Sequence, residues 1–86
     1  MDKEKVKKVW HSSATLIIGK NGWESIIEEF KKQIKKRKII KVKLLKSART
    51  LPTKEIAENI ANRTGSKIVG IRGNQIVFYK EEKVKN

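Results

Sequence analysis

The chain has 86 residues, with 22 Lys and Arg against 9 Asp and Glu, and a net charge of +13. That length suits one domain. The lack of cysteine excludes a disulfide scaffold and every cysteine-ligated zinc fold, and no stretch approaches the ~18 consecutive apolar residues of a transmembrane helix. Residues 1–13 are charged and have no apolar centre of the kind a signal peptide needs, so the expected setting is intracellular, cytoplasmic and away from membranes. An isoelectric point near 10.2 implies a chain that repels itself, and a polyanion relieves that repulsion. Nucleic acid is the partner expected.

In chain order, Val6, Val9 and Trp10 fall at i, i+3 and i+4 and predict a short helix or arm over residues 2–11. Residues 14–18 read as a buried strand, and Gly19-Lys20-Asn21-Gly22 punctuates it. The next helix is the clearest. Trp23, Ile26, Ile27, Phe30 and Ile34 form one face at a 3.6 period, with glutamates early and lysines late, as the helix dipole favours.

Residues 39–45 alternate. Ile40, Val42 and Leu44 face one way and Lys41 and Lys43 the other, which predicts a strand with one wet, basic face. A loop over 46–50 leads to Pro52, which suits the first turn of a further helix. Ile56, Ala57, Ile60 and Ala61 form that helix's apolar face, and Gly65 closes it. Residues 67–72 and 75–80 read as two strands joined by a two-residue Gly73-Asn74 turn. Residues 81–86 read as a disordered polar tail.

The order β-α-β-α-β-β, after a short N-terminal helix, predicts an α/β fold. It is a two-layer sandwich on a mixed four-stranded sheet, with both amphipathic helices on one face.

Catalytic chemistry has little to stand on. His11 is the lone histidine, Asp2 the lone aspartate, and Ser12 and Ser13 have no evident base beside them. No metal-ligand cluster, Walker loop or dinucleotide fingerprint occurs. The expectation is a protein that is not an enzyme and takes no cofactor or metal.

The Gly19–Gly22 loop is more informative. It joins a strand to a helix N-terminus, where unsatisfied N–H groups and the helix dipole welcome a phosphate. RNA-binding KH domains clamp a backbone with a GxxG loop of this kind, although any tight strand-to-helix turn also holds glycines. From Lys31 to Lys54 there are eleven basic residues and no acidic one. Solubility and dipole matching need only a few of them. Lysines far outnumber arginines, which suits contact with phosphates more than bidentate reading of bases.

The residues expected to touch nucleic acid are therefore Gly19, Lys20, Asn21, Gly22 and Trp23 at the loop. Around them lie Lys31, Lys32, Lys35, Lys36, Arg37, Lys41 and Lys43, with Arg49 and Arg72 in loops or turns. Trp23 has two readings, core packing or stacking on a base. Tyr79 likewise either stacks on a base or covers the open sheet face.

Several segments together resemble the CRM domain (chloroplast RNA splicing and ribosome maturation). They are Leu16-Ile17-Ile18-Gly19-Lys20-Asn21-Gly22, Ile40-Lys41-Val42-Lys43, Thr64-Gly65 before a strand, and Gly73 with Ile76-Val77-Phe78-Tyr79-Lys80. The resemblance runs from about Trp10 to Lys80. It implies a fold like the C-terminal domain of bacterial translation initiation factor three, and RNA as the partner. Single-domain bacterial members associate with large-subunit precursors, and multi-domain plant members promote intron splicing. The short chain resembles the former, so structured ribosomal RNA and the pre-ribosomal large subunit are the implied partners; the sequence leaves the oligomeric state open, with a monomer favoured. Two departures stand out: the N-terminal helix is shorter than in bacterial members, and Lys80 stands where they commonly carry Arg.

Two other readings compete. An Alba-type chromatin protein shares the element order and binds duplex DNA, but its final hairpin is longer than a two-residue turn allows. A structural ribosomal protein would stay in the mature subunit.

Overall fold

The computed structural model describes residues 3–48 and 51–80. Arg49 and the tail at 81–86 lie outside the described residues. The elements are α1 (Lys3–His11), β1 (Leu16–Ile18), α2 (Ile27–Arg37), β2 (Ile39–Leu44), α3 (Thr53–Thr64), β3 (Lys67–Arg72) and β4 (Gln75–Tyr79). The four strands form one sheet in the order β1-β2-β4-β3. β1 and β2 pair in parallel across the α2 crossover, and β4 runs antiparallel to both β2 and β3. This is the mixed α/β architecture that the alternation of strand and helix periods predicts.

The core lies between the sheet and the two amphipathic helices. Ile18, Ile40, Val42, Leu44, Ile76 and Phe78 come from the strands, Ile27, Phe30 and Ile34 from α2, and Ile56, Ala57 and Ile60 from α3. Phe30 meets Phe78 edge to face, with ring centres 4.9 Å apart and planes at 87°. Full burial of each large apolar side chain contributes about 1.5–3 kcal/mol, and edge-to-face aromatic pairs add to that.

Local signals place the ends of the elements. Pro52 sits just before α3, and its carbonyl accepts the Ile56 N–H at 3.1 Å. Gly65 adopts φ 67 and ends the helix, as the expected left-handed closing residue should. Lys80 Nζ donates to the Thr64 carbonyl at 3.1 Å, so this lysine caps the negative end of α3. The β3–β4 hairpin turns at Gly73-Asn74, with Arg72 opposite Gln75. The turn is tied to the end of β2: Asn74 Nδ2 donates to the Leu44 carbonyl at 2.9 Å, and the Leu44 N–H donates to the Asn74 carbonyl at 2.8 Å.

Three findings differ from the sequence reading. The helix expected from Trp23 starts as a tight 3-10 turn over Trp23–Ile26 and becomes α-helical at Ile27. The Ser25 N–H and hydroxyl both donate to the Gly22 carbonyl, at 3.3 and 2.7 Å, which draws the first turn inward. Within the expected loop over 46–50, Lys46–Ala48 forms another such turn and buries Ala48.

The third difference is the largest. The face of β2 expected to be wet is partly covered, because α1 packs there, on the side of the sheet away from α2 and α3. Lys41 is only 5% exposed, and its Nζ donates to the carbonyls of Trp10, at 3.0 Å, and Ser12. Val77, its cross-strand partner, is fully buried on the same face. Lys41 is thus corrected from a solvated cation to the cap on the end of α1. A buried ammonium is tolerated when hydrogen bonds satisfy it, and a helix C-terminus supplies both carbonyls and negative potential.

A bulge at Val69 shifts the β3–β4 register between Ile68 and Gly70. It leaves Gly70 beneath Trp10, where a Cβ would lie 3.3 Å from the indole.

Lys41→Met keeps most of the apolar stem and deletes the ammonium, leaving the Trp10 and Ser12 carbonyls without their donor. Hydrogen bonds to charged groups are worth about 1.5–3 kcal/mol, so urea unfolding should show a stability loss of about 2 kcal/mol. Fluorescence should report Trp10 released from the sheet.

Candidate nucleic-acid interface

The Gly19–Gly22 loop forms a tight turn at the end of β1. The Gly22 N–H donates to the Gly19 carbonyl at 3.0 Å, and Lys20 and Asn21 stand exposed at the corner. Gly22 adopts φ 84 and ψ 170, a backbone region open essentially to glycine alone. Gly19 has no such demand; a Cβ there would meet Leu45 Cδ1 at 3.8 Å, an ordinary contact. The two glycines therefore do different work. Gly22 makes the turn possible, and Gly19 lies where a small side chain would only touch Leu45.

Neighbouring segments are brought to the same end of the sheet. The Leu45 N–H donates to the Ile18 carbonyl at 3.0 Å, the Ala48 N–H donates to the Leu45 carbonyl at 2.9 Å, and the Asn74 turn is bonded to Leu44. Exposed Lys46 and Ser47 thus join Lys20 and Asn21. Sequence reading passed over Lys46 because it reads as an ordinary loop residue.

Lys31, Lys32, Lys35, Lys36 and Arg37 are all exposed on α2. Arg37 Nε donates to Gln33 Oε1 at 3.0 Å, and Gln33 Nε2 donates to Glu29 Oε2 at 2.8 Å. This i, i+4 ladder fixes the direction of the guanidinium. Lys43 is half-exposed on the α1-bearing face of the sheet, and Arg72 lies there too. The expected basic residues therefore divide between the two faces of the molecule. Lys41 stands apart from both groups, with its ammonium already engaged, and Arg49 lies outside the described residues.

Trp23 packs against the core. The guanidinium of Arg63 lies over its ring, 5.6 Å from the centre. Arg63 Nη1 also approaches Glu24 Oε2 at 3.9 Å, in an exposed pair. Sequence reading did not single out Arg63; a basic residue in the last turn of a helix is already explained by the dipole. Tyr79 is half-buried on the α1-bearing face, opposite Ile39 and Lys67.

Among the described residues, no three His, Cys, Asp or Glu side chains gather where a metal ion could be held, and no helix is long and apolar enough to cross a membrane.

Known proteins resemble this chain in sequence and in fold. The model of the CRS1 / YhbY (CRM) domain matches residues 2–80. "Probable RNA-binding protein MJ0652" of Methanocaldococcus jannaschii is 35% identical over 74 residues, which are 85% of this chain and 55% of that protein. The chain thus spans just over half the length of that curated relative. The solution structure of SAV1595 from Staphylococcus aureus, described as a candidate RNA-binding protein, superposes with a TM-score of 0.74 at 29% identity. The match covers 94% of this chain and 84% of that one.

The different roles of the two loop glycines can be separated by stability. Gly22→Ala should cost about 1–3 kcal/mol through backbone strain, even though nothing lies within 4 Å of the added methyl. Gly19→Ala should leave the midpoint of thermal unfolding essentially where it is. Paired denaturation curves measure both.

Proposed function

The chain belongs to the CRS1 / YhbY (CRM) domain family, and from that premise we propose that it binds structured ribosomal RNA during maturation of the large ribosomal subunit. The observation that carries this reading is the Gly19–Gly22 turn, with Lys20 and Asn21 exposed at its corner and Gly22 in a glycine-only conformation. Its corner lets a sugar-phosphate backbone come close. The exposed Lys20 ammonium at the corner then favours a phosphate. The family match and the RNA-binding description of the Methanocaldococcus relative support RNA as the polyanion.

Lys31, Lys32, Lys35, Lys36 and Arg37 extend the contact electrostatically. Each phosphate they neutralise releases counterions, so affinity falls steeply as salt rises. A surface dominated by lysine recognises the position and shape of phosphates more than base identity. That suits a folded RNA, whose backbone trajectory is itself the feature to be read. Lys41 has no part in this footprint, because its ammonium is bonded to two backbone carbonyls. Lys80 is held at the end of α3. No step of covalent chemistry belongs to this reading; the protein acts by binding.

The test is equilibrium binding to labelled ribosomal RNA fragments, single-stranded RNA and duplex DNA across a salt series. Wild type should prefer the ribosomal fragments and hold them at physiological salt. Exchanging Lys20 and Asn21 for glutamates should weaken ribosomal RNA binding by about tenfold or more, since it places repulsion where a phosphate sits, while thermal unfolding stays unchanged. Gly19→Ala should also weaken binding without loss of stability. Equal affinity for all three polyanions would point instead to general packaging of nucleic acid. Sedimentation with mature rather than precursor subunits would point to a structural ribosomal protein.

A further inference from the structure

The α1-bearing face of the sheet is only partly covered by α1. Past the C-terminal end of that helix, four side chains stand in one cross-strand row. Register pairs Ile17 with Lys43, Lys43 with Gln75 and Gln75 with Arg72. At ~4.8 Å per strand spacing, Lys43 and Arg72 lie about 10 Å apart. Ile17 is 54% exposed, Arg72 is exposed, and Lys43 and Gln75 are half-exposed. The row carries two cations, one amide and no carboxylate.

Arg72 is not a loose surface cation. Its guanidinium lies over Trp10, 4.4 Å from the ring centre. Trp10 in turn rests on Gly70, where a Cβ would come within 3.3 Å of the indole, a tight contact. Its backbone carbonyl is held by Lys41. Two contacts at the ring and one at its backbone thus place the indole as a platform. A guanidinium over a ring gains from the cation–π attraction and still has N–H donors to offer at its edge. Those donors match the oxygens of a phosphate in a two-pronged contact. Because the side chain is already ordered, binding costs less of its rotamer freedom.

This row lies on the opposite layer from the α2 lysines. The two surfaces meet at the end of the sheet, where Ile17 leads through Ile18 into the Gly19–Gly22 turn and Asn74 is bonded to Leu44. We propose that the Trp10–Arg72 stack, with Lys43 and Gln75, is a second RNA-backbone site, so that the chain grips two separate segments of a folded RNA across the end of its sheet. This inference rests on the RNA-binding function proposed above. One strand of RNA at the turn and α2 leaves the row empty, and a folded RNA with two backbones at that spacing fills it.

The experiment compares wild type, Lys43→Gln alone, the Lys43→Gln/Arg72→Gln double variant, and the Lys20→Glu/Asn21→Glu turn variant. Each is titrated with a folded ribosomal hairpin and with a single strand of equal length. Thermal unfolding checks that each variant is folded, and the single variant serves should the double variant lose stability. Removing two phosphate contacts should weaken hairpin binding by about tenfold and lower its salt slope by roughly two, with less than about a threefold change for the single strand. Lys43→Gln alone should lower the hairpin's slope by about one. The turn variant should weaken both RNAs. Equal loss on the two RNAs in the row variants would mean one continuous backbone track and would overturn the second site, as would unchanged hairpin affinity. A wild-type chain that binds neither RNA would remove the proposed function and this inference together.

Discussion

Excess positive charge is the constraint around which this fold is arranged. A net +13 on 86 residues disfavours a compact state, and the core that opposes it is one layer of side chains between a four-stranded sheet and two helices. Exposed ion pairs do little to relieve the charge: the Arg63–Glu24 approach is long and solvated, and such pairs are worth about 0–1 kcal/mol. Relief comes instead from backbone dipoles. Lys41 sits on the carbonyl end of α1 and Lys80 on that of α3. In each place a cation that would repel its neighbours completes a helix end. Most of the other described cations are exposed, where solvent, counterions or a polyanion can answer them.

Lys41 links this electrostatic arrangement to the architecture. No residue of α1 is fully buried, so the helix has little apolar attachment of its own. It is held where it is by the ammonium beneath its last turn and by Trp10 seated on Gly70. That placement covers Val77, orders the indole under Arg72 and ends the covered part of the sheet just short of Lys43. One buried lysine thus decides which part of the second face is closed and which part stays basic and accessible. Stability and the shape of the charged surface depend on the same contact.

The elements and their order were legible in the sequence because their signals are local. The 3.6 period from Ile26 to Ile34, the Ile40-Val42-Leu44 alternation, the glycine after Thr64 and the Gly73-Asn74 turn each lie within a dozen residues. The resemblance to CRM domains rested on such runs, and the family match covers them. Lys41 and Lys43 show where local reading stops. Along the strand they are equivalent, two lysines on one side of an alternating pattern. They differ only in what lies above them, and α1 is about thirty residues away in sequence. The Trp10–Arg72 stack was hidden for the same reason, since it depends on a bulge at Val69 and a helix position that no periodicity encodes. The 3-10 start of α2 was missed because the apolar stripe from Trp23 is the same for either kind of helix over one turn.

Lysine and arginine then have different tasks on this surface. Eighteen of the basic residues are lysines and four are arginines, and two of those four lie over the chain's two tryptophans, Arg72 over Trp10 and Arg63 over Trp23. Lysines supply a diffuse field, strong enough to attract a polyanion and indifferent to its orientation. An arginine stacked on an indole is a directed donor with its geometry set before the partner arrives. One stacked pair lies on the second face of the sheet, and the other lies where α3 meets the start of the α2 segment. Arg72 is the fixed donor of the second site proposed above, whereas Arg63 is also paired with Glu24.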